Sequence, residues 1–284
     1  MRVEAFPASG TKVQASDFIT TVGGQAGNAA VAVARLGART FYAGALGDTT
    51  DAVAGQVIAT LEREGIDCSG AVRVAGAMTS VSLIMIDHTG EKIIATRRGG
   101  GLSDAVPHDA ARLVAQVDAV LLDNRYPNFM MPILAAATAR GIPLVLDLDK
   151  ETAFGDPLLN GSTHVISSLE ALRGSTGVRD PADGLRKLGT HYRGFLAVTN
   201  GPDGVYWLEN GAVRHMDAFQ VDAIDTLGAG DTFHGAFTVR LVETGDVIES
   251  MRFASAAAAI KCTRFGGLMG AATRAEVEAF LKSR

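Results

Sequence analysis

The feature that most constrains the fold is an alternation of strand-like and helical segments between about residues 38 and 200. Short apolar runs typical of strands lie at 40–47, 119–122, 143–148, 165–167 and 195–199, and helical patterns lie near 50–64, 109–117, 129–140 and 181–188. Such alternation is typical of a mostly parallel sheet with helices on both faces. We therefore expect an α/β fold.

Two segments depart from this alternation. Residues 79–97 predict a hairpin, and residues 204–216 predict a second one, because Asn210-Gly211 is a strong two-residue turn signal. The remaining patterns predict a helical C-terminal third, at 232–244, 247–264 and 274–282.

Composition and charge narrow the classes of partner. A chain of 284 residues with 47% hydrophobic residues can bury the core of one large domain, and no repeat or linker divides it. The net charge of −5, without a basic stripe, excludes a general nucleic-acid binder. Cys68 and Cys262 lie far apart, which argues against a disulfide framework or a structural zinc site. No apolar run suits a signal peptide or membrane span, so we expect a cytoplasmic protein that binds a small molecule and no membrane.

A glycine-rich segment, DTLGAGDTFHGAF at 225–237, is a candidate binding site. If a helix begins near Asp231, its amide and those of Gly228, Ala229 and Gly230 can converge on one anion. A helix N-terminus carries unpaired N–H groups and a partial positive charge. Asp231 itself is open to two interpretations, a helix cap or a catalytic group. The chain has neither a P-loop nor a GxGxxG motif, which argues against a P-loop NTPase and a Rossmann dehydrogenase.

A second glycine cluster, VGGQAGNAAVAVARLG at 22–37, precedes a helix of small apolar residues. One interpretation is a tight turn followed by close helix packing. In the other, Gly23, Gly24 and Asn28 offer amides to a polyhydroxylated ligand.

Together, these two segments resemble the N- and C-terminal signatures of the ribokinase-like, or PfkB, carbohydrate kinases. The order of the motifs and the α/β alternation between them are also similar to that family. The resemblance covers essentially the whole chain and implies a single domain over 1–284. The implied fold is a three-layer α/β/α arrangement with a mostly parallel central sheet and a small β lid formed by about 3–21 and 71–99. The implied reaction is transfer of the ATP γ-phosphoryl group to a sugar hydroxyl.

The resemblance also implies roles for individual residues. Asp231 would be the base that deprotonates the attacking hydroxyl, beside an anion hole for the phosphoryl group. The other implied residues are Gly228, Ala229 and Gly230 in the anion hole; Gly23, Gly24 and Asn28 at the sugar; Asn200, Gly201, Gly204 and Thr226 at ATP; and Asp225 at a monovalent cation such as K⁺. The segment 200–204 is equally consistent with a well-formed hairpin turn.

Polar residues that follow two strands are further substrate-binding candidates. Asn124 and Arg125 follow the strand at 119–122, and Lys150 follows the strand at 143–148. Lys150 could reach a phosphate or simply be solvated. Similar polar residues occur in the ketohexokinase and sulfofructose kinase branches, which the C-terminal half resembles most. Arg125 could hold a sulfonate through two hydrogen bonds.

Two features depart from the family pattern. Many members carry an Asn-x-x-Glu motif associated with Mg²⁺, whereas Ser168 and Ala171 occupy those positions here and Glu170 is displaced by one residue. Glu170 is thus a weak Mg²⁺ candidate, and the nucleotide would still bring the ion.

The second departure concerns the start of the chain. Family members begin with an apolar strand that ends in a sugar-binding aspartate, and this sequence begins beyond that strand. Either the protein is longer than this sequence or it works without that anchor. Because losing a central strand leaves backbone groups unpaired, we expect a longer chain to be more stable and to bind sugar more tightly.

These observations predict an ATP-dependent kinase for a ketohexose or sulfosugar such as fructose or sulfofructose. A ribokinase or nucleoside kinase of the same family is one alternative. A non-catalytic nucleotide- or sugar-binding protein on this fold is the alternative from another class. Lids of this family often pair between subunits and cover their strand edges, so a homodimer is expected.

Overall fold

The computed structural model describes all residues, 1–284, and contains three separate groups of paired strands. The strands are β1 (Phe41–Leu46), β2 (Asp67–Arg73), β3 (Val81–Ile86), β4 (Lys92–Arg97), β5 (Val120–Asp123), β6 (Leu144–Leu148), β7 (His164–Ser168), β8 (Phe195–Thr199), β9 (Val205–Glu209) and β10 (Ala212–Met216). The α-helices are α1 (Gln25–Arg35), α2 (Ala52–Arg63), α3 (Ala110–Val114), α4 (Pro127–Arg140), α5 (Pro157–Gly161), α6 (Leu169–Thr176), α7 (Pro181–Gly189), α8 (Ala229–Thr244), α9 (Val247–Cys262) and α10 (Arg274–Lys282). None of these helices is long and apolar enough to span a membrane.

The largest sheet has the strand order β10-β9-β8-β7-β6-β5. Strands β5 to β8 are parallel, whereas β9 runs antiparallel to β8 and β10 antiparallel to β9. Asn210 and Gly211 form the turn between β9 and β10, and both have positive φ angles, 50° and 81°. The predicted mostly parallel sheet is confirmed, and so is the second hairpin.

Helices cover both faces of this sheet, and side-chain alternation along β6 shows how the layers meet. The three leucines of β6 point into one apolar core, which includes residues of α4, α6 and α7. Val145 points into the other core, formed largely by α8 and α9. Asp147 lies two residues after Val145 and is buried, so it also faces the α8 layer. The sheet thereby places a carboxyl group beneath the helix that begins next to Asp231.

The hairpin of β3 and β4 stands apart from the main sheet, and its two strands pair along their full length. The N-terminal residues add a strand-like segment to it, because Val3 N donates to Ile86 O and Ile86 N donates to Met1 O, both at 2.9 Å. We call residues 1–3 together with β3 and β4 the lid ribbon. The hairpin predicted at 79–97 is therefore present. Strand β2 pairs with β1 instead, and residues 11–21 form no regular strand.

Strands β1 and β2 form a sheet of their own, although residues in and next to β1 lie near residues in and next to β5. Arg39 Nη2, before β1, donates to Gln116 O, before β5, at 3.0 Å. Burial, and then the nearby carboxylate of Asp123 in β5, raise the pKa of Tyr42 in β1. Helix α1 packs against both strands. No ladder hydrogen bonds join β1 to β5, so the facing edges carry unpaired backbone groups.

These facing edges predict that a strand inserted between them would stabilise the protein. We expect a chain extended at its N-terminus by a short valine- and isoleucine-rich strand, through a flexible Gly/Ser linker, to unfold at a higher temperature. The added strand would pair with backbone groups that now lack partners. Thermal unfolding measures the effect, with an equally long Gly/Ser extension as the control. Equal unfolding temperatures for the two extensions would contradict the prediction.

Candidate active site

Helices α1 and α8 bring the two glycine-rich segments into contact. Their close crossing depends on Gly235, because a Cβ added there would lie 2.8 Å from Ala29 O and 3.3 Å from Ala32 Cβ. At the start of the crossing, Asn28 Nδ2 donates a hydrogen bond of 2.6 Å to Asp231 Oδ2. Asn28 is buried, with 7% of its surface exposed. The first segment therefore orients the aspartate of the second.

The start of α8 provides unpaired amides beside Asp231. Gly228 precedes the helix with φ 78° and ψ 9°, a left-handed conformation that favours glycine. The amides of Gly228, Gly230 and Asp231 donate to no group of the protein, whereas Ala229 N donates to Thr226 O at 3.2 Å. The sequence predicted that four amides converge on an anion. Three of them are free to bind one, and the amide of Ala229 instead closes the turn.

The carboxyl group of Asp231 is not used as a helix cap. Burial, and then the negative charge of Asp147, raise its pKa to about 7, although the hydrogen bond from Asn28 and the charge of His234 oppose that shift. A carboxylate with a pKa near neutrality can accept a proton from a bound ligand. Of the two interpretations of Asp231, the geometry favours the chemical one.

Behind Asp231 lies a chain of polar side chains that begins at Asp147. Gln25 Nε2 donates to Asp147 Oδ2 at 3.0 Å, and Gln25 Oε1 accepts from Arg125 Nε at 2.8 Å. Arg125 Nη2 in turn donates to Asp149 Oδ2 at 2.7 Å. Burial, and then the charges of Asp149 and Asp123, raise the pKa of Asp147 well above its ordinary value. The amide of Gln25 thus links a buried carboxyl group to a half-exposed ion pair.

His234 fills the space between Asp147 and the first turn of α8. Its Nδ1 lies 2.7 Å from Gly230 O and 3.5 Å from Asp147 Oδ2, and its Nε2 lies 3.2 Å from Ile166 O. Burial lowers the pKa of His234, whereas the carbonyl of Ile166, the charge of Asp231 and the carbonyl of Gly230 raise it. Since only 3% of its surface is exposed, His234 supports the site from behind rather than facing a ligand.

Asn124 and Lys150 lie at the carboxyl ends of β5 and β6, as expected. Asn124 Nδ2 donates to Lys150 O at 3.1 Å and to Thr152 Oγ1 at 3.0 Å, and its buried Oδ1 has no partner. Burial, and then the positive charges of Arg125 and Arg98, lower the pKa of Lys150. The Lys150 ammonium makes no hydrogen bond within the protein, so it and Asn124 Oδ1 are the groups at this edge without protein partners.

The segment 200–204 forms the tight connection between β8 and β9. Asn200 N donates to Gly204 O at 2.8 Å, and Asn200 Nδ2 donates to Asp203 Oδ2 at 3.2 Å. Gly201 and Gly204 have φ angles of 52° and 87°, and a Cβ on Gly204 would lie 2.1 Å from Met216 O. These residues have a structural role in the turn. The turn lies at the carboxyl edge of the parallel strands, where ligands of such sheets bind.

The two candidate metal ligands differ in their surroundings. Glu170 is exposed in the first turn of α6, whose start Ser168 caps by accepting from Ala171 N at 3.1 Å. No group of three or more His, Cys, Asp or Glu side chains could hold a metal ion. Glu170 therefore belongs to no such group. Asp225 is 1% exposed and contacts the ammonium of Lys261.

Three side chains of this region were not predicted from the sequence. Gln25 precedes Asn28 by three residues, and His234 follows Asp231 by three, so helical spacing places each on the face of a predicted residue. Lys261 is the one charge in a long run of small apolar residues in α9. Helical spacing could thus have identified Gln25 and His234 from the sequence. Lys261 could have been identified as a charge within an apolar helix.

The raised pKa of Asp231 predicts that the free energy of unfolding is lower at alkaline pH. A carboxyl group whose pKa is higher in the folded than in the unfolded chain stabilises the fold below about pH 4, and this contribution is lost as the pH rises through about 7. An asparagine side chain at this position would keep the hydrogen bond from Asn28 without ionising. We therefore expect Asp231→Asn to raise the free energy of unfolding at pH 8 by on the order of 2 kcal/mol relative to its effect at pH 4.

Denaturant unfolding at the two pH values measures this difference. The exposed Asp222, in the segment before the glycine-rich turn, provides a matched control as Asp222→Asn. The same pH dependence in both variants would rule out a special ionisation of Asp231.

Comparisons with known proteins agree with this geometry. The family of pfkB carbohydrate kinases matches residues 1–273. Ribokinase from Haemophilus influenzae is 30% identical in an alignment that covers 99% of this chain and 94% of that protein. Fructokinase-1 from Zea mays is 27% identical in an alignment that covers 93% of this chain and 89% of that protein. The crystal structure of an Agrobacterium tumefaciens protein is similar with a TM-score of 0.93 and 35% identity, over 99% of this chain and 93% of that protein.

The family match extends over both glycine-rich segments and all strands of the main sheet. The similarity to solved structures extends over nearly the whole length of both chains. The chain therefore belongs to the pfkB family of carbohydrate kinases, has the ribokinase-like α/β fold, and is an ATP-dependent kinase that acts on sugars.

Proposed function

We propose that this kinase transfers the ATP γ-phosphoryl group to a hydroxyl of a free pentose or ketohexose, with Asp231 as the base. The observation that carries this proposal is the position of the Asp231 carboxyl group, fixed by Asn28 and next to the unpaired amides at the start of α8. A cytoplasmic location, where ATP is available, fits this activity.

Proton transfer and charge stabilisation are assigned to neighbouring groups. Asp231 accepts the proton of the attacking hydroxyl, and its pKa of about 7 suits a base that must be ionised and still basic at neutral pH. The amides of Gly228, Gly230 and Asp231 meet the charge that develops on the transferring phosphoryl group. Phosphoryl transfer needs positioning and charge stabilisation rather than covalent help from the protein, so these groups are sufficient in kind.

The nucleotide is assigned to the other side of these amides. Asn200, Gly201 and Gly204 are proposed to contact ATP because their turn follows β8 at the carboxyl edge of the parallel strands, and Thr226 is proposed to contact ATP because it precedes the start of α8. Mg²⁺ would arrive with ATP and hold its phosphate oxygens, because Mg²⁺ keeps few protein ligands in such sites. Lys150 follows β6 at the same carboxyl edge of the sheet, and its ammonium makes no hydrogen bond to the protein.

The sugar is assigned to the region between the start of α1 and the ends of β5 and β6. Gly23, Gly24 and Asn28 are proposed to face it from the turn before α1 and from the first turn of that helix, and Asn124 lies at the end of β5 with a buried Oδ1 that has no protein partner. Arg125 already donates through Nε to Gln25 and through Nη2 to Asp149, so its positive charge is already paired with a carboxylate. The carboxyl groups of Asp147 and Asp149 also disfavour an anionic substituent. A neutral sugar such as ribose or fructose therefore fits better than a sulfosugar, in agreement with the similarity to a ribokinase and a fructokinase.

An ADP-release assay across ribose, fructose, sulfofructose and a nucleoside tests this proposal. We expect turnover with ribose or fructose, and we expect Asp231→Asn to lower kcat by roughly 10²–10⁴-fold because a positioned base is lost. Asp222→Asn should keep wild-type turnover. Near-normal turnover of Asp231→Asn would exclude Asp231 as the base. Binding of ATP and sugar without ADP release would favour a non-catalytic binding protein.

We also propose that the protein is a homodimer joined through the lid ribbon. Val81, Leu83 and Ile93 share one face of the hairpin, because directly paired residues of antiparallel strands point to the same side. Between 43% and 46% of the surface of each is exposed. A two-stranded ribbon is marginally stable by itself, and contiguous exposed apolar side chains mark interaction sites. A second lid ribbon of the same kind would cover them.

A charge on this face is expected to separate the subunits. Leu83→Asp places a carboxylate at the centre of the proposed contact, and burying it without a partner is unfavourable. Sedimentation should give twice the 29.5 kDa chain mass for the wild type and the single mass for Leu83→Asp. Thr96→Asp, on the opposite face of the hairpin, serves as the control. A monomeric wild type would contradict the proposed dimer.

A further inference from the structure

Lys261 is a fully buried lysine whose role the reaction described above does not explain. It lies in the last turn of α9, and 0% of its surface is exposed. The helix buries mostly small apolar residues around it. Burying an ammonium group is strongly unfavourable unless nearby oxygen atoms replace the lost water. The position of those oxygen atoms therefore indicates what the charge does.

Both oxygen partners of Lys261 belong to Asp225. Nζ donates to the backbone oxygen of Asp225 at 2.6 Å and lies 3.4 Å from its Oδ2. Asp225 is the first residue of the glycine-rich segment, and its backbone and that of Ile224 donate to Cys262 O at 3.1 and 2.7 Å. The ammonium is thus attached to the turn that leads into the free amides of α8.

The carboxylate of Asp225 connects this turn to a second one. Its Oδ1 accepts from Leu227 N at 2.8 Å, and its Oδ2 accepts from Gly266 N at 2.9 Å and from Gly267 N at 3.2 Å. Two turns, before α8 and after α9, therefore share one carboxylate. A cation at this junction balances the carboxylate and holds a carbonyl oxygen whose orientation follows that of the turn.

The family resemblance places a monovalent cation at Asp225, and the residues present do not fit a free ion there. The backbone oxygen of Asp225 already accepts from Lys261, and its carboxylate already accepts from three backbone amides. A second cation within a few ångströms would be repelled by the ammonium. Lys92 of the lid ribbon is also close enough to disfavour the charge of Lys261, so the region already contains two positive side chains.

We propose that the ammonium of Lys261 is a covalently attached monovalent cation that takes the place of K⁺ in this kinase. The ammonium fixes the turn at 225–228, and through it the amides of Gly228, Gly230 and Asp231, so that the site is complete without a dissociable ion. Lys261 is accordingly a positioning residue that does not contact the substrates. This inference rests on the proposed function for its kinetic consequences, whereas its cation-binding consequences are independent of the sugar.

Replacing Lys261 should convert the protein from independence of K⁺ to dependence on it. We expect wild-type kcat and unfolding temperature to be equal in K⁺, Na⁺ and choline chloride at constant ionic strength. Lys261→Ala removes the charge and leaves room for an ion beside the Asp225 oxygens. In choline chloride its kcat should fall by about 10- to 100-fold, since small displacements of catalytic groups have effects of that size. K⁺ or NH₄⁺ should restore much of this loss and should raise the unfolding temperature of the variant.

The exposed Lys282 provides a matched control, because Lys282→Ala removes a lysine from the neighbouring helix without affecting Asp225. Activation of the wild-type enzyme by K⁺ would overturn the inference. A folded Lys261→Ala variant whose unfolding temperature and activity respond to no cation would overturn it as well. Lys261→Gln, which keeps N–H donors without the charge, is the second variant if Lys261→Ala is insoluble, and the wild-type measurement decides if both are.

The unfolding temperatures separate this inference from the proposed function. If no tested sugar is phosphorylated, the proposed function fails. The response of Lys261→Ala to K⁺ in thermal unfolding still reports whether a cation replaces the ammonium.

Discussion

The hydrogen bond between Asn28 and Asp231 joins two helices whose contacting residues are 203 positions apart in the chain, and the site depends on it. It forms because α1 and α8 cross closely, which requires glycine at 235 and alanines on the facing side of α1. A larger residue at this crossing would move the start of α8, with its free amides, away from the aspartate's partner. The small residues of both helices, which have no reactive groups themselves, therefore determine the distance between Asp231 and the groups around it.

Several carboxyl groups are buried at one edge of the sheet. Their burial raises the pKa values of Asp147 and Asp231 and lowers the stability of the fold when these groups are ionised. Asp147 lies at the end of a fully buried strand and raises the pKa of Asp231 through its charge. Gln25 is uncharged, so it can bond to Asp147 and to Arg125 without bringing a positive charge close to Asp231. A cation in its place would favour ionised Asp231 and lower its basicity. The network thus keeps the pKa of Asp231 near 7, and the fold is less stable at high pH as a result.

Much of the fold could be predicted from the sequence, because local patterns determine it. The alternation of strands and helices, the Asn210-Gly211 hairpin and the helical C-terminal third all follow from periodicity and turn residues. Helices α5 and α6 were not predicted, since each is short and begins at a capping side chain rather than with an apolar period. Two features could not be predicted. The absence of pairing between β1 and β5 depends on contacts between distant segments. The hydrogen bond from Ala229 N to Thr226 O depends on the backbone geometry of the turn. Neither property is local in the sequence.

The two aspartates of DTLGAGDTFHGAF show why residue type alone could not assign the roles in the site. Asp225 accepts from three backbone amides and lies beside an ammonium. Burial opposes its ionisation, but these partners outweigh it and hold its pKa below the ordinary value. Asp231, six residues later, has one side-chain donor and a negative neighbour, so its pKa rises to about 7. A fully paired carboxylate has little tendency to accept a proton, whereas an underpaired one next to a substrate site does. The pKa of the same side chain is therefore lowered at one end of the segment and raised at the other, and the difference arises from partners contributed by α1, β6 and α9.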